Sequence, residues 1–172
     1  HVLQANLLGQ LARIAYWRRN MEEAERYIRE ALEIARSAKD KPTLIFILRQ
    51  YGNLVYRSDS ETAKKFLGES IQLAREIGDR RNEATGLNSL GNTFGFLDDN
   101  QRAIENYEQA RTIFRELGDR NSECMVLGNL SFLHTDEGDF EAAEREAKTA
   151  LAIIREIGGL QLRAGAEASL AN

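Results

Sequence analysis

The sequence predicts an all-α chain, a solenoid of stacked helix–turn–helix units, from a long internal repeat and from the apolar spacing inside it. The repeat is carried by Ala74-Arg75-Glu76-Ile77-Gly78-Asp79-Arg80, Phe114-Arg115-Glu116-Leu117-Gly118-Asp119-Arg120 and Ile154-Arg155-Glu156-Ile157-Gly158-Gly159, so that Gly78, Gly118 and Gly158 stand 40 residues apart. A weaker copy, Leu32-Glu33-Ile34-Ala35-Arg36-Ser37-Ala38-Lys39-Asp40, puts Asp40 39 residues before Asp79. A fixed period of this size means that each unit is a supersecondary element burying its apolar face against its neighbours. Inside the third repeat, Ala84, Leu87, Leu90 and Phe94 recur at spacings of three and four. After the polar break Asp98-Asp99-Asn100 a second such run passes through Ala103, Ile104, Tyr107, Ala110, Ile113, Phe114 and Leu117. That spacing lines one face of a helix.

Applied along the chain, the pattern predicts helices over 2–19, 21–38, 42–57, 60–77, 82–97, 99–117, 121–136 and 139–157, and a ninth from 160 to the end. Asp99 and Asp139 stand where a carboxylate can accept from the free amides that open a second helix. Gly78, Gly118 and Gly158 stand where that helix has to end on a left-handed residue. Pro42 suits a first helical turn, where its missing N–H costs nothing. The 172 residues thus read as one array with repeats at about 1–40, 41–79, 80–119 and 120–159 and the first helix of a fifth at 160–172. The opening His1-Val2-Leu3 has no initiator methionine, so a piece of a longer protein is expected.

Composition removes several function classes. With 42% hydrophobic residues the chain can build a core, yet no apolar run is long enough to cross a bilayer, so no membrane partner is expected. The balance of 23 basic and 27 acidic residues, net −4, lacks the concentrated positive charge that a phosphate backbone demands, so no nucleic-acid partner is expected. Cys124 is the only cysteine, which excludes an internal disulfide or a two-thiol metal site and fits a reducing, cytoplasmic setting. No metal and no other cofactor is expected.

Catalytic groups are equally scarce. His134 occupies the register position of Phe94 and Val55 and reads as a packed core side chain. Cys124 has no histidine placed to activate it and reads as a small buried hydrophobe. Gly86-Leu87-Asn88-Ser89-Leu90-Gly91 lies inside a helical pattern with no strand before it, so a phosphate loop is not supported. Glu22-Glu23 and Glu144 with Glu146 read as solvated second-helix surface with i to i+4 pairing. The chain is therefore expected not to be an enzyme.

Small residues keep the register of the repeat. Ala12, Gly52, Gly91 and Ser131 fall in the first helices, Ala24, Ala63, Ala103 and Ala143 open the second, and Ala31, Ser70, Ala110 and Ala150 follow seven residues later. Helices approach closely only where side chains are small, so these positions mark helix crossings. Leu11, Tyr51, Leu90 and Leu130 stand just before the small residue of each first helix. In these residues the whole chain resembles the tetratricopeptide repeat, which implies a right-handed α-α superhelical solenoid. It departs in its period of 40, against about 34 in the usual repeat, and in carrying Gly-Asp where the family has a terminal proline. The longer form is similar to the arrays of kinesin light chain, of Pins-type polarity adaptors and of bacterial signalling regulators. Leu90-Gly91-Asn92 with Gly118-Asp119-Arg120 is common to these and selects none.

The resemblance places a concave groove on the first helices. It assigns to that groove Arg13, Tyr16 and Trp17, then Arg49, Gln50, Asn53, Tyr56 and Arg57, then Asn88, Asn92 and Phe96, and finally Met125, Asn129 and Phe132. Asparagine is a poor residue inside a helix, and Asn53, Asn88, Asn92 and Asn129 can either hold the backbone of an extended peptide or join neighbouring helices. The first helices of repeats 1 and 2 carry Arg13, Arg18, Arg19, Lys41, Arg49 and Arg57 without an acid, whereas that of repeat 4 carries Glu123 and Asp136. A groove running from basic to acidic is expected, with Arg13, Tyr16, Trp17, Arg49, Tyr56 and Arg57 meeting acidic or C-terminal carboxylate groups. The expected function is a non-enzymatic module that binds a peptide or protein segment as scaffold or regulatory domain of a larger protein. Two alternatives stand beside it. One is a ligand- or effector-sensing module of a transcription regulator or signalling ATPase. The other is self-association through terminal helices that expose Leu3, Leu7, Leu160 and Leu162.

Overall fold

The computed structural model describes residues 1–170, with side chains described up to residue 158. In chain order the helices are α1 (Val2–Trp17), α2 (Met21–Ala38), α3 (Lys41–Val55), α4 (Ser60–Glu76), α5 (Arg80–Phe96), α6 (Asn100–Glu116), α7 (Arg120–Glu137) and α8 (Phe140–Leu170), with no strand among the described residues. The fold is an all-α helical repeat.

Asn20 opens α2, and aspartates open α3 to α8. The side chains of Asp40, Asp59, Asp79 and Asp119 accept from the backbone amides of Thr43, Thr62, Asn82 and Ser122 at 3.0–3.2 Å, as do Asp99 and Asp139 from Arg102 and Ala142. Pro42 lies in the first turn of α3. At the far ends, Gly78 (φ 72°), Gly118 (φ 66°) and Gly138 (φ 80°) take the left-handed turn that a Cβ would resist. Gly158 differs from the expectation, because α8 continues through it to Leu170 and the separate helix from 160 is not formed. The sequence explains this: Gly159 stands where Asp79 and Asp119 follow their glycines, so no carboxylate is present to open a new helix. Residues 171 and 172 of the expected ninth helix, and the side chains of Leu160 and Leu162, lie outside the described residues.

The chain divides into two compact units, His1–Asn106 and Tyr107–Asn172. In the first, α1 packs on α2, α3 on α4, and successive hairpins meet through α2 with α3 and α4 with α5. Its core gathers Leu8, Ala12, Ile28, Ala31, Ile47, Leu48 and Tyr51. Small residues govern the crossings. A Cβ at Gly52 would lie 2.6 Å from Leu67 Cγ and 3.3 Å from the Ala63 carbonyl oxygen, and one at Gly86 would lie 2.7 Å from Ile71 Cγ1. Ser70 donates its hydroxyl to the Ile45 carbonyl at 3.0 Å, tying α4 to α3. Beneath the α4–α5 turn, Glu83 is buried between Arg75 (2.8 Å) and Arg80 (2.6 Å). Burial pushes its carboxyl upward, but the two guanidinium hydrogen bonds outweigh it and hold the group below the ordinary glutamate value.

In the second unit α7 packs on α8 around Val126, Leu127, Leu130, Leu133, Ala143 and Ile153. The Ser131 hydroxyl donates to the Ala143 carbonyl at 2.9 Å. Cys124 is half-buried, its sulfur 3.7 Å from the Ala150 carbonyl. Two carboxylates correct the sequence reading. Glu146 is buried and meets His134 Nδ1 at 2.9 Å, so it is no part of a solvated face and His134 is a polar member of the core. Glu123 is buried beside Arg120 at 2.6 Å and is compensated there instead of standing as a free acid. Each lies on the inward side of its helix, a position that charge counting alone does not register.

Two consequences are measurable. Gly52→Leu should cost more than about 2 kcal/mol in urea unfolding by overpacking the α3–α4 crossing, whereas Gly68→Ala, which meets nothing within 4 Å, should gain up to about 1 kcal/mol. Hydrogen bonds from Thr43, Thr62 and Arg102 hold the carboxyls of Asp40, Asp59 and Asp99 below their ordinary values. Their contribution is therefore complete above the unfolded-state value of about 4 and lost as pH falls through the lower folded values. Thermal melts should show a fall in Tm below about pH 4, and Asp59→Asn, which keeps a cap acceptor, should make that fall shallower.

Candidate functional site

Within His1–Asn106 the first helices α1, α3 and α5 carry nearly all the residues assigned to the groove. Spacings of three and four turn Arg13, Tyr16 and Trp17 to one side of α1, and Arg49, Asn53 and Tyr56 to one side of α3. A cleft of about 170 Å³ is bounded by Arg13, Tyr16 and Trp17 from α1 and by Gln50 and Asn53 from α3. A wider one, about 490 Å³, is bounded by Tyr16, Trp17, Arg19, Met21 and Arg57. Trp17 is 77% exposed and packs edge-on to Tyr16 with ring centroids 6.3 Å apart. The helix propensity of neither aromatic explains that exposure.

Arg57 is held in a ring cluster that joins α3 to α5. Its Nε donates to the Tyr56 hydroxyl at 2.7 Å, and its guanidinium carbon sits 5.3 Å and 5.7 Å from the Tyr56 and Phe96 centroids. Tyr56 and Phe96 meet edge to face at 5.7 Å. The hydrogen bond to Tyr56 raises the pKa of Arg57, so it stays charged. No carboxylate is paired with it among the described residues.

Arg49 is the most unusual group. It lies one turn before Asn53, stacks over Phe46 at 5.7 Å, and its Nε is buried with no hydrogen-bond partner. Burial alone lowers its pKa from the ordinary arginine value. Arg49 is half-buried as a whole, and a partly desolvated cation without a counter-charge is costly to keep in a fold.

The asparagines divide. Asn53 is half-buried on the cleft and makes no hydrogen bond among the described residues. Asn88 is only 6% exposed, so it is not displayed for a ligand, and Asn88, Asn92 and Asn129 are each already engaged within the protein. The row of four amides is thus not a uniform ladder. Lys41 also leaves the groove tally, because it pairs with Glu76 at 3.1 Å. In the second unit α7 turns Met125 and Phe132 outward on the side of Asn129.

Sequence reasoning missed Arg19 and Met21 as cleft walls. They belong to the turn between α1 and α2 and to the start of α2, whereas the carried-over positions lie on first helices. Among the described residues no group of three or more His, Cys, Asp or Glu side chains could hold a metal ion, and no helix is long and apolar enough to cross a membrane.

A family model for the tetratricopeptide repeat matches residues 3–76, 56–116 and 82–156. The chain belongs to the tetratricopeptide repeat family. No curated protein matches its sequence. Among solved structures, BtubC (BKLC) from P. vanneervenii is 26% identical with a TM-score of 0.77, over 87% of this chain and 61% of that one. A signal transduction ATPase with numerous domains (STAND), with a tetratricopeptide repeat sensor, from Pyrococcus horikoshii is 20% identical with a TM-score of 0.79, over 93% and 25%. A Rap protein complexed with competence and sporulation factor is 17% identical with a TM-score of 0.83, over 90% and 44%. The chain spans less than two thirds of each of these proteins, and the last two likenesses concern the fold alone.

The position of Arg49 in this tetratricopeptide repeat chain gives a direct test. Arg49→Met removes an unsatisfied buried donor and keeps the apolar stem, so folding stability in urea should stay level or rise by about 1 kcal/mol. A loss of stability would mean that the guanidinium is compensated in the fold.

Proposed function

We propose that the chain is a non-enzymatic protein-interaction module, and that the first-helix face of its His1–Asn106 unit takes an extended acidic peptide segment as the recognition or regulatory part of a larger protein. The observation that carries this reading is Arg49, a half-buried cation without a counter-charge among the described residues, its Nε buried and unpartnered, one turn from a cleft-lining amide. A ligand carboxylate would supply the missing charge and exchange its water for a bidentate partner. Arg13 and Arg57 add cations unpaired with acids among the described residues, Tyr16, Trp17 and Tyr56 add rigid aromatic area, and Asn53 adds a free amide for the peptide backbone. A cytoplasmic setting accompanies the reading.

A second reading is a sensor module that closes on a small ligand or on an effector domain of its own protein. It is favoured by the likeness of 93% of the chain to part of a protein described as having a tetratricopeptide repeat sensor.

A peptide array probed with the chain tests the first reading. Hits should be enriched in Asp, Glu or a free C-terminal carboxylate. Arg49→Glu with Arg57→Glu should weaken them at least about tenfold, because a like charge replaces the attraction. Asn53→Ala should weaken acidic and neutral hits alike. Unchanged binding by both variants would move recognition off this face.

A further inference from the structure

One edge of the first unit carries three different side chains at a single register position. Trp17, Arg57 and Phe96 stand where the first helices α1, α3 and α5 end, each five residues after Ala12, Gly52 and Gly91. Trp17 and Arg57 bound the cleft of about 490 Å³ together with Tyr16, Arg19 and Met21. No carboxylate borders that cleft, and neither Arg19 nor Arg57 has an ion pair among the described residues. Of the Arg57 nitrogens only Nε is engaged there, by the Tyr56 hydroxyl at 2.7 Å, while the Tyr56 and Phe96 rings hold the guanidinium in place. Its two terminal nitrogens are left as a fork that suits an oxyanion.

Arg19 is held at the same cleft against its backbone preference. It stands immediately before the N-cap Asn20 with φ 60°, at the place where Gly138 precedes α8 with φ 80°. Glycine takes that conformation freely, whereas a residue with a Cβ takes it at a cost to the fold. The turn itself is made by the backbone, through the Arg19 N–H to the Tyr16 carbonyl at 2.8 Å and the Asn20 N–H to the Ala15 carbonyl at 3.0 Å. The guanidinium adds no hydrogen bond or ion pair to it among the described residues. A strained residue whose side chain does nothing for the turn points to a use in the cleft that it borders.

Two guanidiniums with no acid beside them suit a doubly charged phosphate better than a single carboxylate. The rest of the wall is flat and apolar, with Trp17 77% exposed, Tyr16 edge-on to it and Met21 alongside. A phosphoserine would meet the cations and leave that wall in water, whereas the ring of a phosphotyrosine covers it. We infer that the wide cleft takes a phosphorylated tyrosine of the bound segment, its phosphate between Arg19 and Arg57 and its ring on Trp17. The inference rests on the reading of this face as a peptide site and adds a regulation to it: phosphorylation of the partner strengthens capture.

Trp17 is the only tryptophan of the chain, so its fluorescence reports on this cleft alone. Titration with N-acetyl-phosphotyrosine amide should quench it saturably, and N-acetyl-tyrosine amide should not. N-acetyl-phosphoserine amide should compete at least about tenfold less well, because it lacks the ring contact. Arg19→Gly and Arg57→Gln should each weaken phosphotyrosine binding at least about tenfold with unchanged helix content. Arg19→Gly should also melt no lower than the wild type, since the turn then carries the residue it prefers. Equal competition by phosphoserine, tighter binding of adenosine monophosphate, or full binding by Arg19→Gly would each overturn the inference. A library of acidic peptides with one fixed tyrosine, bound better after phosphorylation, would support it. If the unphosphorylated library binds and phosphorylation adds nothing, this inference fails and the acidic-peptide reading stands; if neither form binds, both fail.

Discussion

The close approach of helices at small residues is the constraint on which the rest of this structure depends. Gly52 lets α4 bring Leu67 within contact of the α3 backbone, and Gly86 does the same for Ile71 on α5. With backbones that near, hydroxyls can reach carbonyls on the neighbouring helix, as Ser70 does to Ile45 and Ser131 to Ala143. The same approach fixes the rotation of each first helix about its axis. That rotation decides which residues face the core and which are left on the open side, so Gly52 sets the direction of Arg49, Asn53 and Tyr56 without touching any ligand.

Helix ends are determined more locally. An aspartate before the opening turns of α3 to α8, Asn20 before α2, and a left-handed residue after every closing turn from α1 to α7 except that of α3 stop the chain from running on as a longer helix. Lys39, Asp98 and Arg19 take the left-handed conformation with a side chain attached, which costs more than glycine does. In α8 the punctuation is missing. With Gly159 in the place of an aspartate, the helix passes through a glycine pair that elsewhere would end it.

These local rules explain why so much was legible in the sequence. The period, the second-helix aspartate caps and the glycine turns each depend on one residue type at one position, so the helices up to α7 could be placed within about two residues. Buried charge was not legible. Glu83, Glu123 and Glu146 have the same neighbours in sequence as solvated glutamates, and only the packed structure shows Arg75, Arg80, Arg120 and His134 converging on them. The site was half legible for a related reason. Side chains that project from a known helix face, such as Arg13, Tyr16 and Asn53, could be assigned by register. Whether an amide is buried and engaged depends on the packed fold, and Asn88 and Asn53 look alike in sequence although the one is buried and engaged and the other half-buried on the cleft.

Arg49 is a consequence of how repeats stack. A stack of repeats can satisfy its inward surfaces completely, because each new unit presents the residues that the last one needs. It cannot do so for its open side, where no further unit arrives. Arg49 leaves a buried Nε donor without an acceptor there. Its charge is not needed to make the fold, because a methionine would fill the volume of Arg49 without it. A protein of marginal stability does not gain from keeping an uncompensated, half-buried cation. Such a feature becomes favourable only when something else supplies the anion, which is why the open face of a repeat array is where its partner is to be sought.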